Sequence, residues 1–350
     1  FLINFEGVHI ETADVSLMKK DFTFKLISSD NKIYSYDFDF SIFKSDKFVA
    51  KSNNYVKINQ SSNMPIILFK NIFIGDSKRI CYIDNYNNNL HIINSQNAKI
   101  EHAIKMHTKI DSIMTSQDGW LAVSAIDASV TIFDVNRIRD KELTILNNHI
   151  IQNADSINYI SNSDSIPVHK YQNNYYGKIS FSRELITCIA ISQTFHTFVC
   201  GTNDNYLFYC RLNPNKMVVY KMVERDGKPN KIIVTDNWGF VVVFMIKKDK
   251  NTLSVFTING DAVKSKDLDV NLRIVDMITV SSVPGGFDYI IVADSSRNIS
   301  VYEAFDFRIE KEINISQGEI RKLVYIKELA LLIVFCEEGN SHLIYLPITD

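Results

Sequence analysis

Glycine is scarce, at 12 of 350 residues, which excludes a chain built on Gly-rich phosphate loops. A surplus of one charge is missing too. Forty acidic side chains meet 38 basic ones for a net charge of −2, so no overall field draws nucleic acid or an anionic membrane. Long apolar runs are absent: the longest, Leu329 to Cys336, has eight residues, against about 20 needed to cross a bilayer. Cysteine is sparse and odd in number. Cys81, Cys188, Cys200, Cys210 and Cys336 lie inside strand-like runs and read as free core thiols in a reducing compartment. The sequons at Asn59, Asn298 and Asn314 are then accidental three-residue matches.

Chemistry-bearing motifs are missing as well. Gly177-Lys178 and Gly227-Lys228 lack the upstream glycine and the following hydroxyl of a phosphate loop. No paired-cysteine or His-Glu-x-x-His metal pattern occurs, and no Gly-x-Ser-x-Gly elbow. The expectation is a protein with no catalytic residues, no cofactor and no metal. No signal peptide is visible. The chain starts at Phe1 without a methionine, which reads as a piece of a longer polypeptide.

What the sequence does have is 46% hydrophobic and 22% charged residues, the composition of a folded chain. The apolar residues come in short runs rich in Val, Ile, Phe, Tyr and Thr, among them Ile186–Ser192, Phe240–Ile246 and Tyr289–Ala293. Asp, Asn and Ser turns separate them: Asp30-Asn31, Asn87-Asn88-Asn89, Asp127-Ala128, Asn203-Asp204-Asn205, Asp249-Lys250-Asn251, Asp294–Asn298 and Glu338-Gly339-Asn340. No 3.6-residue period is sustained. The chain reads as all-β.

Seven of these turns are each followed by a strand ending on an apolar anchor: Tyr36, Ile93, Phe133, Cys210, Phe256, Tyr302 and Tyr345. Successive anchors are 57, 40, 77, 46, 46 and 43 residues apart. Four of the six spacings match one four-stranded propeller blade. The two long ones carry insertions, near Ser41–Ser62 and near Asn147–Ser182. Residues 1–350 thus read as a seven-bladed β-propeller. Its last unit, Ile320 to Leu346, runs out of chain before a fourth strand. Phe1–Phe5 is strand-like and supplies it, closing the ring and removing the exposed sheet edges.

Trp120 and Trp238, each beside a glycine ahead of a second strand, read as blade packing. Lys247-Lys248-Asp249-Lys250 reads as a solvated turn. The second insertion carries Tyr159, His169, Tyr171, Tyr175 and Tyr176, which suit either a partner contact or a disordered loop.

His107–Val135 resembles a degenerate WD repeat. His107 precedes the inner strand, Asp127 sits in the hairpin turn, and Phe133-Asp134 stands where the family has Trp-Asp. In that family the His and Asp lock the blade through a hydroxyl to the Trp. The resemblance makes His107, Asp127 and Phe133 structural blade-locking residues, with a partial lock because Phe133 cannot donate. The repeat spacing favours this over a catalytic dyad.

The C-terminal half is similar to the WD-repeat propeller that ends BEACH-domain proteins. The likeness is carried by Val255–Asp269, Gly286–Ile313 and Ile320–Pro347, with Ile258-Asn259-Gly260 and Glu303-Ala304-Phe305-Asp306-Phe307 at the family's positions. It implies a cytoplasmic scaffold, peripheral to intracellular membranes, acting in vesicle trafficking. Its partners would be trafficking proteins or a preceding BEACH module, with no nucleic acid. The rival readings are a propeller of another coat or nuclear-pore-type assembly, and a propeller enzyme with its site on the channel rim.

Overall fold

The computed structural model describes residues 2–18, 21–30, 32–39, 47–50, 55–57, 73–74, 79–84, 89–97, 99–106, 108–115, 120–127, 129–134, 175–180, 185–192, 194–213, 216–281 and 283–348. Among them every regular element is a strand, apart from one 3-10 turn at Lys327–Leu329. The strands form seven blades, antiparallel throughout except for one parallel pair in the last.

Strand β1 (Leu2–Phe5) stands apart from the first blade, which is built from β2 (Ile10–Met18), β3 (Asp21–Ser28) and β4 (Lys32–Asp39). β5 (Lys47–Ala50) crosses to another sheet, and β6 (Tyr55–Lys57) then completes blade 1. Blade 2 comprises β7 (Phe73–Ile74), β8 (Arg79–Asp84), β9 (Asn89–Asn94) and β10 (Ile100–Lys105). Blade 3 has β11 (Ile110–Thr115), β12 (Trp120–Ala125), β13 (Ser129–Asp134) and β14 (Tyr175–Ser180). Blade 4 follows with β15 (Ile186–Ser192), β16 (Thr197–Thr202), β17 (Tyr206–Asn213) and β18 (Lys216–Glu224). Blade 5 is β19 (Lys228–Val234), β20 (Val241–Ile246), β21 (Asn251–Phe256) and β22 (Ala262–Leu268). Blade 6 is β23 (Ile274–Ser281), β24 (Asp288–Asp294), β25 (Asn298–Glu303) and β26 (Ile309–Asn314). Blade 7 has β27 (Ile320–Ile326), β28 (Leu331–Cys336) and β29 (Asn340–Tyr345) from the C-terminal stretch.

All seven anchors fall on third strands. Both stretches read as insertions contribute blade strands. The first supplies β5 and β6. The second ends in β14, which takes Tyr175 and Tyr176 into a blade, while its part up to residue 174 lies outside the described residues.

The second strands explain why the apolar runs are continuous and not alternating. In β20, Val241, Val243 and Met245 pack toward blade 4, while Val242 and Phe244 pack toward blade 6. In β16, Phe198 and Cys200 face blade 3 and Val199 faces blade 5. A strand covered on both faces has no solvent side on which to place polar residues. Among the described residues the apolar interior is therefore a run of six clusters, each shared by two consecutive blades, from blades 2 and 3 round to blades 7 and 1. Complete burial of one such side chain stabilises by about 1.5–3 kcal/mol.

The inner strands share a second device. In six blades the register with the second strand slips by one residue near the start, at Ile10/Thr12, Ile110/Ser112, Ile186/Cys188, Pro229/Lys231, Ile274/Asp276 and Ile320/Lys322. Such bulges sharpen the local twist, which lets flat sheets pack around a common axis. Asp and Asn then set the hairpins. Ser28 and Thr202 donate to Asp30 and Asp204, and Ser129 donates through both its backbone N–H (3.1 Å) and its hydroxyl (2.5 Å) to Asp127. Asn205, Arg297 and Gly339 close equivalent turns with φ of 70°, 67° and 83°, as type I turns with a left-handed final residue require.

Closure follows the expectation and adds to it. β1 pairs antiparallel with β29, Leu2 opposite His342 and Asn4 opposite Asn340. β5 then pairs parallel with β1, so blade 7 has five strands. Ile3 and Phe5 are fully buried, and Phe5 lies 4.7 Å from the Tyr36 ring and 5.8 Å from the Phe24 ring. Gly339 admits this strand: a Cβ there would stand 2.6 Å from the Phe5 carbonyl oxygen.

The five cysteines are buried and free. Burial pushes the Cys188 and Cys336 thiols up to about 12, so neither is a nucleophile at neutral pH. The sequon residues Asn298 and Asn314 bond to each other, Nδ2 to Oδ1, at 2.7 Å across β25 and β26.

Removing residues 1–6 takes Ile3 and Phe5 from the seam, and should lower Tm by roughly 10 °C in a thermal melt. An unchanged Tm would rule out closure by β1. Lys25 spans blades 1 and 2, buried, with Nζ 2.9 Å from the Ser95 hydroxyl. Burial lowers its pKa from 10.5, against the pull of Asp37 and Asp14. Below the folded pKa the buried charge costs its full penalty, and that penalty is relieved as pH rises toward 10.5. Lys25→Met should therefore be no less stable than the parent near neutral pH, and its relative advantage should shrink as pH rises, read by urea unfolding.

Candidate functional site

In an up-and-down blade the turns alternate between two faces. One face carries the second-to-third turns and the outer-to-inner links; we call it the upper face. The other carries the first-to-second and third-to-fourth turns and is the lower face. The Lys247–Lys250 run lies on the upper face and is tied down: Lys247 pairs with Asp226 and Lys250 with Asp267, each at 2.5 Å.

Two of the residues expected to lock blade 3, Asp127 and Phe133, lie in the hairpin and third strand of that blade. His107 lies outside the described residues. Asp127 caps its own hairpin through Ser129, and Phe133 is buried near the far end of β13 in the cluster between blades 2 and 3. Asp127 is a turn residue in the described geometry.

The inner strands of three blades carry charge at one recurring position. Lys231, Asp276 and Lys322 follow the inner-strand bulge in blades 5, 6 and 7. Asp276 Oδ2 accepts the Leu323 N–H at 2.8 Å and lies 3.3 Å from Lys322 Nζ. Burial lowers the Lys231 pKa, with Asp276 opposing it. The carboxylate is thus engaged in tying blade 6 to blade 7. No group of three or more His, Cys, Asp or Glu side chains suited to a metal ion occurs among the described residues.

The lower face of blades 5 and 6 is different. Asp288, 2% exposed at the start of β24, is the hub. Its Oδ1 accepts the Asn237 N–H at 3.1 Å and the Ser281 hydroxyl at 2.7 Å, and its Oδ2 accepts the Trp238 N–H at 2.9 Å. Asn237 Nδ2 reaches back to the carbonyls of Val283 (2.9 Å) and Gly286 (3.1 Å). Trp238 Nε1 donates to the same Gly286 carbonyl at 2.8 Å. One buried carboxylate thereby fixes the turn after β19 to the turn after β23.

The Trp238 indole itself stays 56% exposed. This corrects the reading of Trp238 as blade packing: the hydrogen bonds hold it at the surface, where no neighbouring blade covers it. Gly239 permits the turn, with φ of 66° and the Phe195 ring 3.1 Å from where a Cβ would lie. Val283, Phe287 and Phe305 beside it are each about half exposed, and Phe305 lies 5.9 Å from the Phe240 ring. The first strand of blade 6 ends in Ser281 and its third-to-fourth turn joins in through Ala304, whose N–H bonds the Asp288 carbonyl at 2.8 Å. Sequence reasoning missed Asn237, Ser281 and Asp288. The available signal was the pairing of Asn237-Trp238-Gly239 with Gly286-Phe287-Asp288 at matching points of successive units.

No protein-family model matches this chain, and no curated protein matches it. Solved structures do, in 1648 chains, so the fold is shared too widely to point to one family. One, described as the crystal structure of BBS1N in complex with ARL6DN, soaked with lead, covers 100% of this chain and 97% of its own, with TM-score 0.64 and 11% identity. That likeness shows the β-propeller fold. Among the described residues no helix is long and apolar enough to cross a membrane.

Identity this low transfers no residue roles, so the hub is tested in this chain. Asp288→Asn keeps the shape but turns one of the two acceptor oxygens into a donor. It should cost about 1–3 kcal/mol in urea unfolding and red-shift the Trp238 emission as the indole loosens. An unchanged spectrum and stability would remove Asp288 from this role.

Proposed function

We propose that this propeller is a non-catalytic protein-interaction scaffold of a BEACH-type protein in vesicle and membrane trafficking, cytoplasmic and peripheral to intracellular membranes. The observation that carries the interaction role is the lower-face cluster of Trp238, Val283, Phe287 and Phe305, exposed yet fixed by the Asp288 hub. A rigid, exposed aromatic group loses little entropy on binding, which is what protein interfaces concentrate in their central contacts. The non-catalytic reading rests on the sequence, which carries no phosphate loop, paired-cysteine metal pattern or Gly-x-Ser-x-Gly elbow.

The BEACH assignment rests on the resemblance of Val255–Asp269, Gly286–Ile313 and Ile320–Pro347. The similar solved structure contains ARL6DN as a binding partner, and this chain's partners are read by analogy as proteins. A BEACH module encoded upstream of Phe1 separates this reading from a coat or nuclear-pore propeller.

Proximity labelling in cells with the 350-residue chain as bait tests the role. Enrichment of trafficking proteins over a bait carrying an unrelated propeller is expected. Labelling indistinguishable from that control would overturn it.

A further inference from the structure

The lower-face cluster has a definite charge environment, and this selects among occupants. The turns that frame it carry Asp236 and Asp306, with Glu303 and Glu310 alongside. One arginine stands among them. Arg308 is divided between Glu303, at 2.9 Å, and Glu310, at 2.7 Å, and its backbone N–H bonds Asp306 at 2.7 Å. Burial first, and Asp306 next, hold the Glu303 carboxyl above its ordinary range, against the pull of Arg308. On blade 5, Lys264 and Lys266 stand on the outer strand, and Lys266 Nζ lies 4.3 Å above the Tyr302 ring. In and beside these turns four carboxylates stand against one arginine, so the frame is acidic.

The apolar floor is preorganised. Trp238 already spends its only polar group on Gly286, so its exposed surface offers apolar and π contact alone. Phe305, Phe287 and Val283 extend that floor across the blade 5–blade 6 boundary. An apolar floor with an anionic rim repels phosphate-bearing partners, both nucleic acid and anionic lipid, and attracts cations flanking an apolar anchor.

We propose that this surface docks a short protein segment in which aromatic or long aliphatic anchors are flanked by Lys or Arg. The proposal rests on the interaction-scaffold reading and specifies its site and partner chemistry. The anchors cover the Trp238, Phe287 and Phe305 rings. The flanking cations meet Asp236 and Asp306, and Arg side chains gain further contact over the indole face.

The test uses the 350-residue chain and a phage-displayed library of short random peptides, with the selected peptides synthesised and measured by fluorescence anisotropy. The expected consensus is an aromatic or long aliphatic residue next to Lys or Arg. Phe287→Ala with Phe305→Ala should weaken binding by about tenfold or more. Asp236→Asn with Asp306→Asn keeps side-chain shape and should weaken it by about threefold at low salt, a loss that vanishes near roughly 0.3 M salt. Circular dichroism and Tm matching the parent confirm that the variants fold.

Selected peptides that bind both variants as well as the parent would overturn the site, and so would an acidic consensus or a failure to select any peptide. Binding to vesicles of phosphatidylcholine with about 30% phosphatidylserine that is lost in the phenylalanine variant would assign the surface to membranes instead. Proximity labelling unchanged by the phenylalanine variant would discard this site and leave the scaffold reading standing.

Discussion

Each blade is a sheet with two apolar faces, and each face is covered only by the next blade. Val241, Val243 and Met245 on one side of β20, with Val242 and Phe244 on the other, show the condition at a single strand. An open row of such sheets would leave an apolar face at each end, so the row has to close on itself. The seam between blades 7 and 1 is where the chain meets that demand. Ile3 and Phe5 arrive from the N-terminal end of the described chain to join Phe335 and Leu343 of blade 7 and Phe24, Tyr36 and Phe38 of blade 1. β5 then covers the outer edge of β1, which makes the seam the one five-stranded sheet of the described ring. The inner-strand bulges serve the same requirement, because twist lets neighbouring faces stay in contact from axis to rim.

Three polar contacts within this ring join neighbouring blades. Lys25 reaches Ser95 between blades 1 and 2, Thr187 donates to the Pro229 carbonyl between blades 4 and 5, and Asp276 accepts from Leu323 between blades 6 and 7. Buried donors and acceptors without partners are costly, so such groups persist where the facing blade supplies the partner. Asp288 belongs to this class and differs in consequence. Its partners are two backbone N–H groups in a surface turn and the hydroxyl that ends β23, so joining blades 5 and 6 also orders a stretch of exposed aromatic surface. The proposed docking surface is thus a by-product of the packing rule, placed on loops and held by a rigid scaffold.

Much of this was legible along the chain. The turn-to-turn spacing of about one blade and the runs of Val, Ile and Phe gave seven units, and a last unit lacking its fourth strand pointed to Phe1–Phe5. These features are local: a hairpin needs Asp, Asn or Gly at fixed offsets, and a doubly covered strand needs continuous apolar residues. The insertions were less readable. β5 and β14 lie far in sequence from the strands they pair with, and neither pairing leaves a local pattern. Trp238 was misread for a related reason. A tryptophan in an all-β sequence is ordinarily covered, and its exposure depends on Gly286 and Asp288, about one blade further along.

The sequence by itself determined an all-β repeat, the number of blades and the strand that closes them, because short-range turn chemistry and apolar periodicity are written residue by residue. Only the tertiary structure decided which polar residues meet across a blade boundary. That the Asp288 carboxylate, the Asn237 amide and the Gly286 carbonyl converge beneath an exposed indole is a property of two blades packed at a fixed distance. Partners separated by some 50 residues leave no trace in either blade alone.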